Sequence, residues 1–414
     1  MGGLKYPKLE DINIAAKTVL VRTDLNVPMQ GGHVTDTTRI QRLLPTLNYL
    51  IRKKCRIVLL SHFDRPGGKF VPSMSLAPLV DALSQALGGR EVKFGVDCIG
   101  PAAYDAVAKL QPGEVLLLEN LRFHPEEEKG DANFARELAS LGDIFVNDAF
   151  SCSHRAHASI TGLADYLPVA AGRLMQEELD VLGSIFSGAK KPIAAIIGGA
   201  KVSTKLELLI NLTQTMDVLI IGGAMANTFL YAQGHSIGKS LYEKNLKASA
   251  LKILRQAEKN GCRILLPVDV IIASELAPAS PCDIVDAEAI PADGMAVDIG
   301  PASVELFGEA LGKCKTIVWN GPLGAFETSP FDVSTVSLAR IIASLTAKKR
   351  VRSIAGGGDT VAALNHAGLA ARFSYLSTAG GAFLEWLEGK PLPGVAALLE
   401  SDTRPAPAIM TKRR

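Results

Sequence analysis

The sequence predicts an α/β protein of doubly wound parallel sheets, arranged in two halves joined by a helix. Three observations carry this expectation. Short apolar runs alternate with stretches of helical periodicity between residues 18 and 376, which implies parallel strands with helices on both faces. The pattern is laid down twice, with an amphipathic stretch at 173–186 between the two passes. The residues after the strands are polar and basic in the first half and glycine-rich in the second. Parallel strands present all these ends on one edge of the sheet, where ligands bind.

Composition narrows the class. The chain has 414 residues, 48% hydrophobic and 21% charged, which suits a globular protein of two or three domains. The formal net charge of +2 argues against a strongly basic nucleic-acid binder. No apolar run is long enough to span a bilayer. Residues 1–17 contain no apolar signal core, and Tyr6 breaks the myristoylation pattern, so a cytoplasmic protein with no membrane partner is expected. The six cysteines are scattered without a CxxC, and the histidines lack HExxH spacing. Neither a zinc motif nor a redox pair is indicated, and reduced thiols are expected.

In the first half, 18–21 (TVLV) reads as a strand ending at Arg22, Thr23, Asp24, Leu25 and Asn26. Asp36 is placed to cap a helix whose apolar residues are Ile40, Leu43, Leu44, Leu47, Leu50 and Ile51, with Arg39 in its first turn and Pro45 expected to bend it. A second strand, 56–60 (RIVLL), leads to Ser61, His62, Phe63, Asp64 and Arg65. A helix is expected over 76–87. Strands at 114–118 and 143–146 lead to Glu119–Asn120–Leu121–Arg122 and to Asn147, Asp148, Ser153, His154 and Arg155. Arg22, Arg39, His62, Arg65, Arg122 and Arg155 therefore converge on one rim. A surface arginine is usually half of an ion pair. A rim of cations without carboxylate partners suits a multiply charged anion, such as a small phosphorylated acid.

In the second half, 193–205 (IAAIIGGAKVSTK) reads as a buried strand, a glycine turn, and a helix beginning at Lys201. Lys201 and Lys205, four apart, then share a helix face. Two readings stay open: an anion site at a helix N-terminus or a solvated face. The P-loop spacing is absent. Further strands at 217–221, 262–266, 315–319, 351–354 and 373–376 lead to GGAMANTF, PVD, NGPLGAFE, AGGGDT and STAGGA. Glycine turns at strand ends suit a nucleotide, whose phosphates need close backbone approach. Asp359, after three glycines, is a magnesium ligand or a helix N-cap. Glu327 accepts from ribose hydroxyls or sits in a loop. The dinucleotide fingerprint GxGxxG and the hydrolase motif GxSxG are both missing.

Nine segments in order resemble the phosphoglycerate kinase family: RTDLNVP (22–28), SHFDRP (61–66), ENLRFHPEE (119–127), NDAF (147–150), HRAHAS (154–159), GGAKVSTK (198–205), VWNGPLGAFE (318–327), AGGGDT (355–360) and LPGVAAL (392–398). The resemblance implies two Rossmann-like domains joined by a hinge helix that close during reaction. Residues 1–172 would bind phosphoglycerate, 173–191 would connect, 192–392 would bind nucleotide, and 393–414 would return to the first domain. It implies that Asp24, Asn26, Arg39, His62, Arg65, Arg122 and Arg155 hold 3-phosphoglycerate or 1,3-bisphosphoglycerate. It implies that Lys205, Glu327, Gly357, Gly358, Asp359 and Thr360 hold ADP or ATP, with Asp359 on Mg2+, and that Arg39, Lys201 and Lys205 are catalytic. A monomeric enzyme is expected. A non-catalytic nucleotide-binding relative, or a kinase of another phosphorylated acid, is the alternative. The chain departs from the usual family pattern at Asp64, Ala224 and Ala379, where glycine is common, and at Ser151–Cys152–Ser153.

Overall fold

The computed structural model describes residues 5–401. The described chain divides into two compact units. One is Ser184–Lys390, and the other comprises the residues before Ser184 and after Lys390. Residues 402–414, which end in the basic run TKRR, lie outside the described residues.

In the N-terminal unit six parallel strands stand in the order Val92–Gly95, Val115–Leu118, Arg56–Leu60, Thr18–Arg22, Ile144–Asn147, Val169–Ala171. The chain starts at Thr18–Arg22, winds outward in one direction, then returns to the other side at Ile144–Asn147. The winding reverses between these two strands, and a crevice is expected at their C-terminal ends. The helix Thr38–Arg52 buries Ile40, Leu43, Leu47 and Leu50 against Val19, Val21, Ile57 and Leu59, the face its spacing predicts. It runs unbroken through Pro45, and the Asp36 carboxylate accepts from Thr38 N at its start (2.7 Å). The second predicted helix begins only at Leu79, directly after Pro78, and Leu76 precedes it as a buried anchor.

The Ser184–Lys390 unit repeats the plan. Its parallel order is Arg263–Leu265, Val218–Ile221, Ile193–Ile197, Thr316–Asn320, Arg352–Gly356, Tyr375–Ser377. The winding reverses between Ile193–Ile197 and Thr316–Asn320. Trp319, Ile196, Phe307 and Leu338 share the core beneath. A three-stranded antiparallel sheet is added, with Asp269–Ala273 between Cys282–Asp286 and Met295–Ile299.

The helix Arg173–Ser187 is fixed at its N-terminus by two side chains. Thr46 Oγ1 accepts from Arg173 N (2.8 Å) and Asp148 Oδ1 accepts from Met175 N (3.0 Å). The last described helix, Pro393–Ser401, packs on Val169–Ala171 and the turns Phe150–Cys152 and Gly162–Asp165. There Gly394 N donates to Ser153 O (2.9 Å).

Candidate active site

The first crevice is built from strand ends. After Thr18–Arg22 the chain presents Asp24 and Asn26. The Arg39 guanidinium lies 2.7 Å from Asp24 Oδ1 and donates to Asn26 O at 2.9 Å. Ser151 Oγ donates to Asp24 Oδ2 (2.5 Å). Asn26 Oδ1 accepts from Asp64 N (3.1 Å), and Asp64 O accepts from Arg122 Nη1 (2.7 Å). Arg122 is buried, and its Nε lies 3.2 Å from Glu128 Oε1. One hydrogen-bonded chain thus joins Arg39, Asp24, Asn26, Asp64 and Arg122. Arg155 is half-buried, its Nε donating to His154 Nε2 (3.2 Å). Arg65 is exposed. Among the described residues, neither Arg65 nor Arg155 is ion-paired with a carboxylate.

Three sequence expectations need correction here. Arg22 is not on the rim: it is fully buried, donates to Ser159 Oγ (2.7 Å) and to Thr23 O, and faces Glu127. A charge with no exposure requires such partners. The rim cations are also not free of carboxylates, since Asp24 and Glu128 lie against Arg39 and Arg122. Nor is His62 a cation. Burial and the charges of Arg22, Arg122, Arg39 and Arg155 push its pKa well below 6.5, so it faces the crevice as a neutral imidazole. Its Nδ1 lies 3.3 Å from Arg22 Nη2.

The second crevice sits at the other reversal. Gly198 N donates to Asn320 O (2.9 Å) across the two central strand ends. The backbones meet so closely that a Cβ on Gly198 would lie 1.8 Å from Pro322 O. Only glycine fits there. The helix predicted to begin at Lys201 begins at Leu206 instead, after a 3-10 turn over Ser203–Lys205. The Glu243 carboxylate accepts from Ser203 N (2.9 Å) and Ser203 Oγ (2.5 Å) in this turn. Lys201 and Lys205 therefore do not share a helix face. Lys201 is exposed. Lys205 turns inward, donating to Gly198 O (2.8 Å) and Asn320 Oδ1 (2.7 Å). Burial lowers its pKa to about 8, against an opposing pull from Asp359.

Asn320, which the sequence reading did not single out, is the hub of this crevice. It is buried, receives Lys205, and donates through Nδ2 to Gly356 O (2.7 Å). Its signal was its place as the polar residue that ends a buried strand. Thr360 Oγ1 accepts from Gly321 N (2.6 Å). Gly357 has φ +97°, and the helix Gly358–His366 follows it. Asp359 lies in the first turn of that helix, exposed, and no side chain caps the helix start. The N-cap reading is thereby removed. An exposed carboxylate oxygen beside a glycine turn is the hard donor that magnesium takes, so the residues fit that ion. Gly358 and Glu327 are exposed.

The departures have local reasons. Asp64 has φ +51°, a left-handed conformation that glycine adopts freely and aspartate tolerates. Ala224 and Ala379 are not in that region. Gly223 and Gly380, at φ +65° and +53°, make those two turns, so the added methyls cost no backbone strain.

A family model described as phosphoglycerate kinase matches residues 9–390. The chain is 55% identical over 395 residues to a phosphoglycerate kinase of Rhodospirillum centenum, covering 95% of this chain and 100% of that one. It is 56% identical over 393 residues to one of Ruegeria, covering 95% and 99%. Among solved structures, a phosphoglycerate kinase from Coxiella burnetii superposes with a TM-score of 0.87 at 41% identity, over 96% of this chain and 99% of that one. One from Pyrococcus horikoshii superposes with a TM-score of 0.79 at 30% identity, over 96% and 99%. With two doubly wound sheets, a basic crevice at one reversal and a glycine-lined crevice at the other, the chain belongs to the phosphoglycerate kinase family.

Proposed function

We propose that the protein catalyses reversible phosphoryl transfer between 1,3-bisphosphoglycerate and MgADP, giving 3-phosphoglycerate and MgATP. The observation that carries this reading is the contrast between its two reversal points, one lined by arginines and the other by glycine turns and lysines. Arg65, Arg122 and Arg155 hold the phosphate that is not transferred. Asp24, Asn26 and neutral His62 orient the glycerate, and Arg39 faces the transferring group. Lys201, Lys205, Gly357, Gly358 and Thr360 receive the nucleotide phosphates, and Glu327 its ribose.

In the ATP-consuming direction the nucleophile is the carboxylate of 3-phosphoglycerate, already ionised at neutral pH, so no general base is needed. Catalysis then consists of aligning two anions and stabilising charge on the moving phosphoryl. Arg39 and Lys201 supply that charge, and Lys205 ties it to the switch point through Asn320. Asp359 would hold magnesium, which when bound neutralises the nucleotide phosphates.

A coupled assay of 3-phosphoglycerate with ATP and magnesium tests the reading. Reversible, magnesium-dependent turnover is expected. Turnover only with a different phosphorylated acid would reassign the first crevice. No turnover by folded protein would leave a nucleotide-binding relative without catalysis.

A further inference from the structure

Spacing motifs find metal ligands that lie close in sequence, and this chain shows none. Folding brings three together from two neighbouring strand ends. Val92–Gly95 and Val115–Leu118 are paired in parallel. Asp97 and Cys98 follow the first, and His124 follows the turn Leu121–Phe123 after the second. A carboxylate oxygen, a thiol sulfur and an imidazole nitrogen there all lie within 4.8 Å of one another.

The donors are already oriented. His124 Nε2 is 2.8 Å from Asp97 Oδ1, and that oxygen also accepts from Cys98 N (2.7 Å). The imidazole packs on Phe134 with ring centroids 5.4 Å apart. Cys98 is fully buried, whereas the Asp97 side chain is 44% exposed and that of His124 26%. The thiol is thus the buried donor of the three, and the other two reach solvent. Ligands on one tetrahedral ion stand roughly 3.3–3.8 Å apart, given metal–ligand bonds of about 2.0–2.3 Å. The His124–Asp97 pair, at 2.8 Å, must open to admit an ion, and no separation in the set exceeds 4.8 Å.

The surroundings favour a cation. Glu119 accepts from Ser75 Oγ (2.6 Å), Leu76 N (2.8 Å) and Asn120 N (2.8 Å), without a basic partner in that set. Asp97, Glu119 and Glu127 all act on the Cys98 thiol, and of the three only Glu127 faces Arg22.

We propose that Asp97, Cys98 and His124 form a binding site for a divalent transition metal of the zinc class, separate from the magnesium used with nucleotide. Sulfur and nitrogen donors select such an ion over magnesium. A second triad, Asp24, His62 and Cys152, belongs to the proposed phosphoglycerate crevice and is the internal control.

The test uses the full chain carrying Cys282→Ser, to remove the exposed thiol, treated with chelator and titrated with Co2+. One equivalent should bind, giving a thiolate-to-metal absorption in the near ultraviolet that Zn2+ displaces and excess Mg2+ does not. Cys98→Ser should abolish that absorption, and His124→Gln should weaken binding at least about tenfold. Cys152→Ser should leave it unchanged. Cobalt binding without thiolate absorption, absorption that persists in Cys98→Ser, or no binding at all would overturn the proposal. In each of those cases Asp97 and His124 are a hydrogen-bonded pair bracing two loops. Activity with magnesium alone should be unaltered in Cys98→Ser, so failure of this site leaves the kinase reading intact.

Discussion

At the scale of single residues, similar arginines have different work, and their surroundings predict how each responds to removal. Arg65 is exposed, so Arg65→Ala should raise the KM for 3-phosphoglycerate while changing stability by no more than about 0.5 kcal/mol. Arg122 is buried, lies against Glu128 and donates to Asp64 O. Arg122→Ala should raise the same KM and also cost about 1–3 kcal/mol of stability through unpaired partners. Both should affect KM more than kcat, because the phosphate they are proposed to hold does not change charge during reaction. Arg39→Ala and Lys201→Ala should lower kcat by at least about a hundredfold. Steady-state kinetics beside urea denaturation separate these outcomes. Equal kcat losses in all four variants would remove the division of roles. Lys205 adds a pH signature. Its pKa is lowered to about 8 by burial, so the ammonium that greets a phosphate is present below that pH and lost above it. MgADP affinity measured from pH 7 to 9.5 should fall across that window in the wild type, and a flat profile would contradict the placement of Lys205. Residue types and strand ends made these groups visible in the sequence. Their partners were not visible, because Glu127, Glu128 and Asn320 meet them only through the fold. Hence the sequence pattern alone sets Arg22 on the rim and gives Asn320 no distinction.

At the scale of elements, the central strands were legible because each is a run of residues buried on both faces, as in Leu20–Val21, Val58–Leu59 and Ile196–Ile197. The edges of the second sheet, Arg263–Leu265 and Tyr375–Ser377, match the strands expected at 262–266 and 373–376, but the edges of the first were not legible. Val92–Gly95 is short and half-buried, and Val169–Ala171 has three residues. The antiparallel addition was missed because Cys282–Asp286 is mostly exposed and carries no apolar run. The glycine turns can be tested as elements. Gly198→Ala would put a methyl 1.8 Å from a backbone carbonyl, whereas at Gly358 nothing lies within 4 Å and φ is ordinary. Gly198→Ala should therefore cost roughly 1–3 kcal/mol or more, and Gly358→Ala should be neutral or stabilising by up to about 1 kcal/mol. Thermal melts without nucleotide decide this. Equal melting temperatures would mean that the two central strand ends are not in contact as described.

At the scale of the whole molecule, one doubly wound plan is used twice, and each copy offers its own reversal point. In the proposed function the copies divide the labour, the first taking the phosphorylated acid and the second the magnesium nucleotide. Calorimetric titration of 3-phosphoglycerate alone and of MgADP alone tests it on the wild type, Arg65→Ala and Asp359→Ala. A charge-assisted contact contributes about 1.5–3 kcal/mol, or roughly a tenfold to hundredfold change in affinity. Arg65→Ala should lose that much for 3-phosphoglycerate and leave MgADP within about twofold, and Asp359→Ala should do the reverse. If either variant weakens both ligands alike, the two crevices are not separate sites and the division of labour is wrong.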